Sequence, residues 1–489
     1  MRSRRLDLTE KQKTTLFWSC FAGLLFLFLG FLIYGGLQKE FWYDEMAMVG
    51  FVGGDTSIPD ILHTYLTVEA SNLPLYALLL WPVYHCLPAQ EVCLLSLSML
   101  LTFGGVAFLG LFAHKRYGKP AAILSLALCL CSNTVRNRIG LELRAYSLMF
   151  FGGTFSLYML LLLHEKRSKR RYILTGLALV ILVFSHYFGV LTFAILAGGA
   201  LVVVLCRREK KSYLAPFIAA GLLFVPWFAA TRMMTSVSSE NFWIPRPAFA
   251  DVPKAVAYLL GGNAILCGLF GLGWIMLLAV LIRKKQWISP ESFMLLTPVA
   301  VLGGVFVYSR YLSKGGGLFE NRYFIAVLPM LLLTVAAAFQ QYWDLCEKKK
   351  ALRILPLLLL LPALYMGNHK AHVEAICQMR DASDSAVYLL QQGDLEDDDV
   401  KIVALSYDPI GDYCAYGWAD FYLRRQGGVQ KEVFVTQDSI MDELFDEYIP
   451  EGIRKIYIMG DKDFLDYFKD DYRRIELEDT RRMTVFELR

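Results

Sequence analysis

The sequence predicts a mainly α, polytopic helical membrane protein of eleven or twelve spans that carries a small C-terminal α/β domain. The first indication is composition. Of 489 residues, 56% are hydrophobic, 14% aromatic and only 19% charged, which sets the chain apart from ordinary soluble domains and from disordered ones. The second is spacing: apolar stretches of about the 20 residues that a span needs recur from residue 16 to residue 367. The third is charge. Residues 1–369 carry 34 Lys+Arg against 18 Asp+Glu, a net of +16, whereas residues 370–489 carry 15 against 27, a net of −12. The chain therefore reads as a basic-flanked membrane body, 1–369, followed by an acidic water-soluble domain, 370–489.

The N-terminal Met1-Arg2-Ser3-Arg4-Arg5 precedes about 22 apolar residues beginning at Leu16. This stretch is long for a signal peptide and lacks a small-x-small cleavage site, so it reads as a retained span with its basic end in the cytoplasm. Further spans are expected near 92–113, 119–135, 145–163, 171–186, 188–206, 213–230, 255–282, 290–308, 322–341 and 352–367. Basic clusters fall at His114–Arg116, Lys166–Arg171, Arg207–Lys211, Arg283–Lys285 and Lys348–Lys350, each two spans from the next. Cytoplasmic loops collect Lys and Arg, so the alternate loops face outward: 38–72, around 136–144, around 185–189, 231–254, 309–321 and everything after 368. The stretch 74–88, short and interrupted by Pro82, either dips into the outer leaflet or lies along it, or else spans.

In the tail, 401–405, 432–435 and 455–459 read as buried strands, and 473–478 and 483–488 as a closing pair. Segments near 418–425, 439–447 and 463–469 read as helices. About 120 residues of this pattern make a small α/β domain. The ten cysteines show no C-x-x-C spacing and lie mostly in apolar stretches. Only Cys377 and Cys414 are placed to pair if the tail faces an oxidising compartment.

Polar residues gather on the outward set of loops and span ends: Asp44, Glu45, Asp60, His63, Glu69, Arg136, Arg144, Tyr146, His186, Glu320, Arg322 and Tyr323 among them. Carboxylates and cations so close to a bilayer must be solvated, paired or used. Two or three cations beside a carboxylate suit a phosphate-bearing lipid headgroup and a base. Each has a structural alternative. Asp44 could cap a helix over Glu45–Val52, and Glu45 could support it. Arg144 could pair with Glu142 or snorkel. His186 could be a satisfied turn residue. His63 with Asp60 or Glu69 could take a divalent metal, although the spacing does not demand one.

The order of motifs resembles a family. An N-terminal span leads to Phe41-Trp42-Tyr43-Asp44-Glu45, then to a helical loop and a re-entry at Pro74-Leu75-Tyr76. Arg144-Ala145-Tyr146, Ser185-His186-Tyr187-Phe188-Gly189, Asn241–Pro245 and Asn321-Arg322-Tyr323-Phe324 follow. Over about residues 10–370 this resembles the membrane glycosyltransferases of the GT-C fold, in the branch of protein O-mannosyltransferases and lipid A aminoarabinose transferases. Members commonly carry His-Pro-Pro where this chain has Asn72-Leu73-Pro74, and the tail lies outside the resemblance.

The resemblance implies a sugar donor on a polyprenyl phosphate, used at the outer face of the cell membrane, with Asp44 acting at the acceptor and Arg144 and Arg322 holding phosphate. Tyr146, His186 and Tyr323 join that phosphate site, and Glu45 joins Asp44. The acceptor is a lipid, polymer or protein. No nucleic acid is implied, no cofactor is demanded and a divalent metal stays open. The chemistry agrees: polyprenyl phosphate is a good leaving group, so the transfer needs a base for the acceptor and positive charge for the phosphate. Neither a dinucleotide fingerprint nor a phosphate-binding loop occurs. A transporter or flippase of lipid-linked saccharides would instead place its charges near the midplane, often in two related halves. A polymerase or ligase would use the same donors with a larger outer loop. A receptor domain on an inert anchor would not need so many spans.

Overall fold

The computed structural model describes residues 9–69, 72–207, 210–231, 244–313, 316–347, 352–353, 355–367, 381–406, 409–437, 453–460, 472–475 and 484–488. In chain order its helices are α1 (Glu10–Gly36), α2 (Tyr43–Val52), α3 (Ile58–Thr67), α4 (Leu75–Cys86), α5 (Glu91–Tyr117), α6 (Lys119–Cys131), α7 (Tyr146–Glu165), α8 (Lys169–Ser185), α9 (Tyr187–Cys206), α10 (Ala215–Thr231), α11 (Asp251–Leu259), α12 (Ala264–Lys284), α13 (Pro290–Val307), α14 (Leu328–Leu345), α15 (Leu355–Leu358) and α16 (Leu360–Gly367). Two more, Asp381–Gln392 and Pro409–Trp418, lie in the tail. Eight helices among the described residues are long and apolar enough to cross a membrane: α1, α5, α7, α9, Lys211–Thr231, α12, Pro290–Leu312 and Asn321–Leu345. The other expected spans are shorter: α8 has 17 residues, α6 has 13 and Pro356–Gly367 is a short apolar helix. The chain is a multi-pass helical membrane protein, as expected.

Contacts divide the chain into two compact units, with one break between residues 369 and 370. One comprises 1–34, 98–140 and 146–369; the other comprises 35–97, 141–145 and 370–489.

The first unit is a helical bundle around α14, whose residues Leu328–Phe339 are all buried. α6, α7, α12 and α13 surround it. Peripheral helices keep large apolar side chains exposed, for example Phe26, Leu205, Leu222 and Leu272, as helices apolar all round do when lipid covers their outer side. Basic side chains among the described residues meet at one end of this bundle. Arg116 grips Glu291 through Nε and Nη2 at 2.8 and 3.1 Å, Lys115 pairs with Glu165 at 2.9 Å, and Lys119 donates to Thr14 at 3.1 Å. The ends of α1, α5, α6, α7 and α13 that carry these residues are thereby held on one side, which agrees with the alternation read from the sequence.

The span expected over 255–282 is two helices. Gly261 and Gly262 adopt φ of 79° and 65°, and the Asn263 side chain caps α12 by accepting from Ile265 and Leu266. A Cβ at Gly261 would also lie 2.5 Å from the Asn133 nitrogen, so only glycine makes this turn. Asn263 further donates to the Ala363 carbonyl at 2.7 Å, fixing α16 to the start of α12.

The second unit is built on a five-stranded mixed sheet: β1 (Val400–Ser406), β2 (Val433–Gln437), β3 (Lys455–Gly460), β4 (Tyr472–Ile475) and β5 (Thr484–Leu488), in the order β2-β1-β3-β5-β4. β1 pairs in parallel with β2 and β3, and β5 runs antiparallel to both β3 and β4. All five strands fall where the sequence places them. The helix expected near 418–425 begins earlier, at Pro409, and continues as a π-helical stretch to Gln426; the helices expected near 439–447 and 463–469 lie outside the described residues.

Within the loop 38–72, α2 and α3 belong to this unit. α2 crosses the helix Pro409–Trp418 at two glycines, where a Cβ at Gly50 would strike the Tyr413 carbonyl and one at Gly417 the Met46 carbonyl. Below the crossing, Asp420 accepts from the Gly54 N–H at 2.9 Å and from the Tyr84 hydroxyl. Cys414 is buried with its thiol on the Tyr43 carbonyl at 3.2 Å, and its candidate partner Cys377 lies outside the described residues.

At the entrance to β1 and β3, Asp394 accepts from Lys455 at 2.9 Å and from the Tyr457 hydroxyl at 2.8 Å. Burial pushes the Asp394 carboxyl up, but these two donors outweigh it and hold the group below its usual range. A carboxyl depressed in the folded state contributes stability that is present above its unfolded value and is lost as pH falls through the folded one. Exchange of the β1 and β3 amides, taken relative to the intrinsic rate at each pH, is therefore expected to accelerate below about pH 3.9. Asp394→Asn is expected to accelerate it about tenfold already at neutral pH, for the loss of about 1.4 kcal/mol. Hydrogen–deuterium exchange read by mass spectrometry checks both.

Candidate active site

The acidic pair opens α2. The helix begins at Tyr43, so Trp42 holds the N-cap position, and Asp44 and Glu45 occupy the first turn. Asp44 therefore does not take the N-cap position that was its structural alternative: Trp42 holds that position and Tyr43 is already helical. Carboxylates are favoured in a first turn by the helix dipole, which explains why both are tolerated there.

The two neighbours have different surroundings. Glu45 is fully buried. Its Oε2 meets Lys39 Nζ at 2.5 Å and accepts from the Trp42 N–H at 3.1 Å, and its Oε1 accepts from the Leu143 N–H at 2.7 Å. Both oxygens are thus taken by the protein, which marks Glu45 as a pin between the start of α2 and the segment 141–145. Asp44 keeps about a quarter of its side chain exposed and forms an ion pair through Oδ2 with Arg144 Nη1. The structure so brings together two of the expected site residues, the carboxylate and one cation, and the backbone bond from Leu143 to Glu45 sets the segment that carries the cation. Lys39, also buried, was not among the residues singled out in the sequence.

The remaining candidates meet in the helical bundle, at the end opposite the basic loops. His186 is the N-cap of α9, with Nδ1 accepting from the Phe188 N–H at 3.1 Å. That bond fixes the tautomer, leaving the proton on Nε2. Its ring lies 5.1 Å from that of Tyr323 and 6.2 Å from that of Tyr146. Tyr146 opens α7, and Tyr323 sits in the 3₁₀ turn Asn321–Val327 that feeds α14. Arg322, next in the same turn, has Nε 3.9 Å from Glu320 Oε1. Three helix starts thereby place two phenols and an imidazole together, with Arg322 preceding Tyr323 in the same turn. Arg136 serves packing instead: it is buried, donates to the Gly367 carbonyl and lies over the Phe31 ring at 5.4 Å.

Among the described residues no group of three or more His, Cys, Asp or Glu side chains is placed to hold a metal ion. Asp60, a candidate ligand beside His63, is committed to its helix: it accepts from the Ser57 hydroxyl and from the Ser57 N–H at 2.9 Å, completing a capping box for α3. Those bonds hold its carboxyl below the usual range.

The fold and these residues define a multi-pass membrane protein with a mixed sheet near its C-terminus and two polar clusters built at helix starts. Its architecture is that of ArnT, the GT-C fold that the motif order implied. Crystal structures of ArnT from Cupriavidus metallidurans match it in the apo state with a TM-score of 0.62 over 97% of each chain, and in complex with undecaprenyl phosphate with a TM-score of 0.61 over 98% of each, both at 13% sequence identity. No family model matches the sequence, and no curated protein matches it.

Proposed function

We propose that the chain is a glycosyltransferase that moves a hexosyl or pentosyl group from a polyprenyl-phosphate donor to a hydroxyl or amine of a lipid, polymer or protein on the extracytoplasmic face. The observation that carries this reading is the whole-length likeness to ArnT, one of whose structures holds undecaprenyl phosphate. The N-terminus and the basic loops then face the cytoplasm, and the tail faces outward.

In this reading the acceptor attacks the anomeric carbon, the bond from that carbon to the phosphate oxygen breaks, and polyprenyl phosphate leaves with the electron pair. Asp44 takes the acceptor's proton, and Arg144 and Arg322 hold the leaving phosphate, with Tyr146, His186 and Tyr323 as further donors. Glu45 and Lys39 hold the machinery rather than join it. The pairing of Arg144 with Asp44 in the free protein gives donor binding a second effect: a phosphate that draws the guanidinium away would release the carboxylate for the acceptor.

Deleting the gene and comparing cells by mass spectrometry of polyprenyl-phosphate sugars and surface glycans tests the reading. One surface sugar is expected to disappear while its lipid-linked form accumulates at least several-fold. Unchanged lipid-linked sugars and glycans would overturn it, and accumulation confined to the inner leaflet would make the chain a flippase.

A further inference from the structure

The helical bundle contains a cavity of about 130 Å³ at the end that carries the basic loops. Its wall is apolar, with Leu161 of α7, Ala200 of α9, Phe217 of α10 and Phe293 of α13, and its polar rim includes Arg207 and His164. α7 runs from Tyr146 to His164, about 27 Å at 1.5 Å per residue, nearly the thickness of a hydrocarbon core of about 30 Å. The cavity therefore belongs to the leaflet opposite the Tyr146–His186–Tyr323 cluster and is separate from it.

Charge at the rim names the occupant. The carboxylates of Glu165 and Glu291 at this end are matched by Lys115 and Arg116. Arg207 is exposed and held in place by donating to the Ile288 carbonyl, one of the five donors that a guanidinium offers. At the same end of the bundle but outside the cavity wall, Arg171 donates to the Leu162 carbonyl of α7 and to the Lys166 carbonyl just beyond it. An apolar crevice with a cationic rim fits an amphiphile with an anionic head. By volume, a cavity of about 150 Å³ admits a benzene-sized apolar ligand, so this one takes a few methylenes of a chain. A polyprenyl tail reaching across from the far leaflet would bring no charge to Arg207.

We propose that this cavity binds an anionic glycerophospholipid of the leaflet on the basic-loop side, one acyl chain entering between α7, α9, α10 and α13 and the phosphate meeting Arg207 and His164. Native mass spectrometry of the full chain, purified in neutral detergent and mixed with phosphatidylglycerol and phosphatidylcholine of identical chains, tests it. The wild type is expected to retain phosphatidylglycerol about fivefold better, the effect of one cation near a headgroup. Arg207→Gln is expected to lose that preference, and Arg207→Lys to keep most of it. Ala200→Phe and Leu161→Trp, which fill the cavity, are expected to lose retention of both lipids. The proposal is overturned if Arg207→Gln keeps the preference, if a filled cavity retains phosphatidylglycerol as well as the wild type does, or if undecaprenyl phosphate displaces phosphatidylglycerol in competition.

Discussion

Asp44→Asn is expected to lower the turnover of sugar transfer by about 10²–10⁴, the range that a positioned general base supplies, while leaving the chain folded and the KM for the lipid-linked donor close to that of the wild type. Asparagine keeps the size and the hydrogen-bonding reach of the side chain but cannot accept the acceptor's proton. The helix does not depend on the carboxylate for its cap, because Trp42 occupies that position. The pair with Arg144 is partly exposed, and pairs of that kind contribute only about 0–1 kcal/mol. A large loss of rate would therefore not be a loss of fold. Arg144→Gln should divide differently, raising the donor KM as well as lowering turnover, because it removes charge from the phosphate in the bound and the reacting state alike. Steady-state transfer from a purified polyprenyl-phosphate sugar in detergent separates the two. An Asp44→Asn enzyme that turns over at the wild-type rate would remove the carboxylate from the chemistry.

The parts of this molecule that lipid dictates were legible in the sequence. A span must be long and apolar because the bilayer leaves its backbone no other partner, so the eight long helices, and the loops between them that carry the basic clusters, lie close to where hydropathy and the Lys/Arg count put them. The strands of the tail were legible for a similar reason, since β1 and β3 are nearly continuous apolar runs. Contacts that depend on shape were not. Gly50 and Gly417 give no local sign that they will meet, and without that crossing nothing in the sequence folds the loop 38–72 onto the same unit as the tail. The break at Gly261-Gly262-Asn263 did carry a turn signal, but two apolar flanks concealed it. The candidate site was half legible: the aromatic-flanked Asp44-Glu45 and Arg144 stood out as charges beside a membrane, and the structure pairs Asp44 with Arg144. Lys39 did not stand out, because a lysine just beyond a span reads as a snorkelling anchor.

Lys39 is the residue whose loss is expected to damage the fold most. Its side chain is 2% exposed and that of Glu45 is fully buried. Lys39→Met would leave a carboxylate buried with only the Trp42 and Leu143 N–H groups as partners, and breaking a buried pair from one side costs about 3–5 kcal/mol, a large share of the roughly 5–15 kcal/mol that holds a domain together. The lysine alone would fare little better in Glu45→Leu, with the Glu40 carbonyl at 3.0 Å as its remaining acceptor. The double variant Lys39→Met with Glu45→Gln removes both charges and keeps a side-chain carbonyl for the Leu143 N–H. It is expected to melt well above Lys39→Met alone and, with the single Glu45→Gln closing the cycle, to show a non-additivity of a few kcal/mol that marks direct coupling. Thermal unfolding followed by size-exclusion chromatography in detergent reads the order of stabilities. Activity gives the second test. Because the Leu143 N–H holds the segment that presents Arg144 to Asp44, the double variant should recover transfer along with stability, whereas Glu45→Leu should stay inactive even at temperatures where it is folded. Additive melting shifts would reduce the pair to two independent packing residues, and a folded, fully active Glu45→Leu would remove the pin from the site.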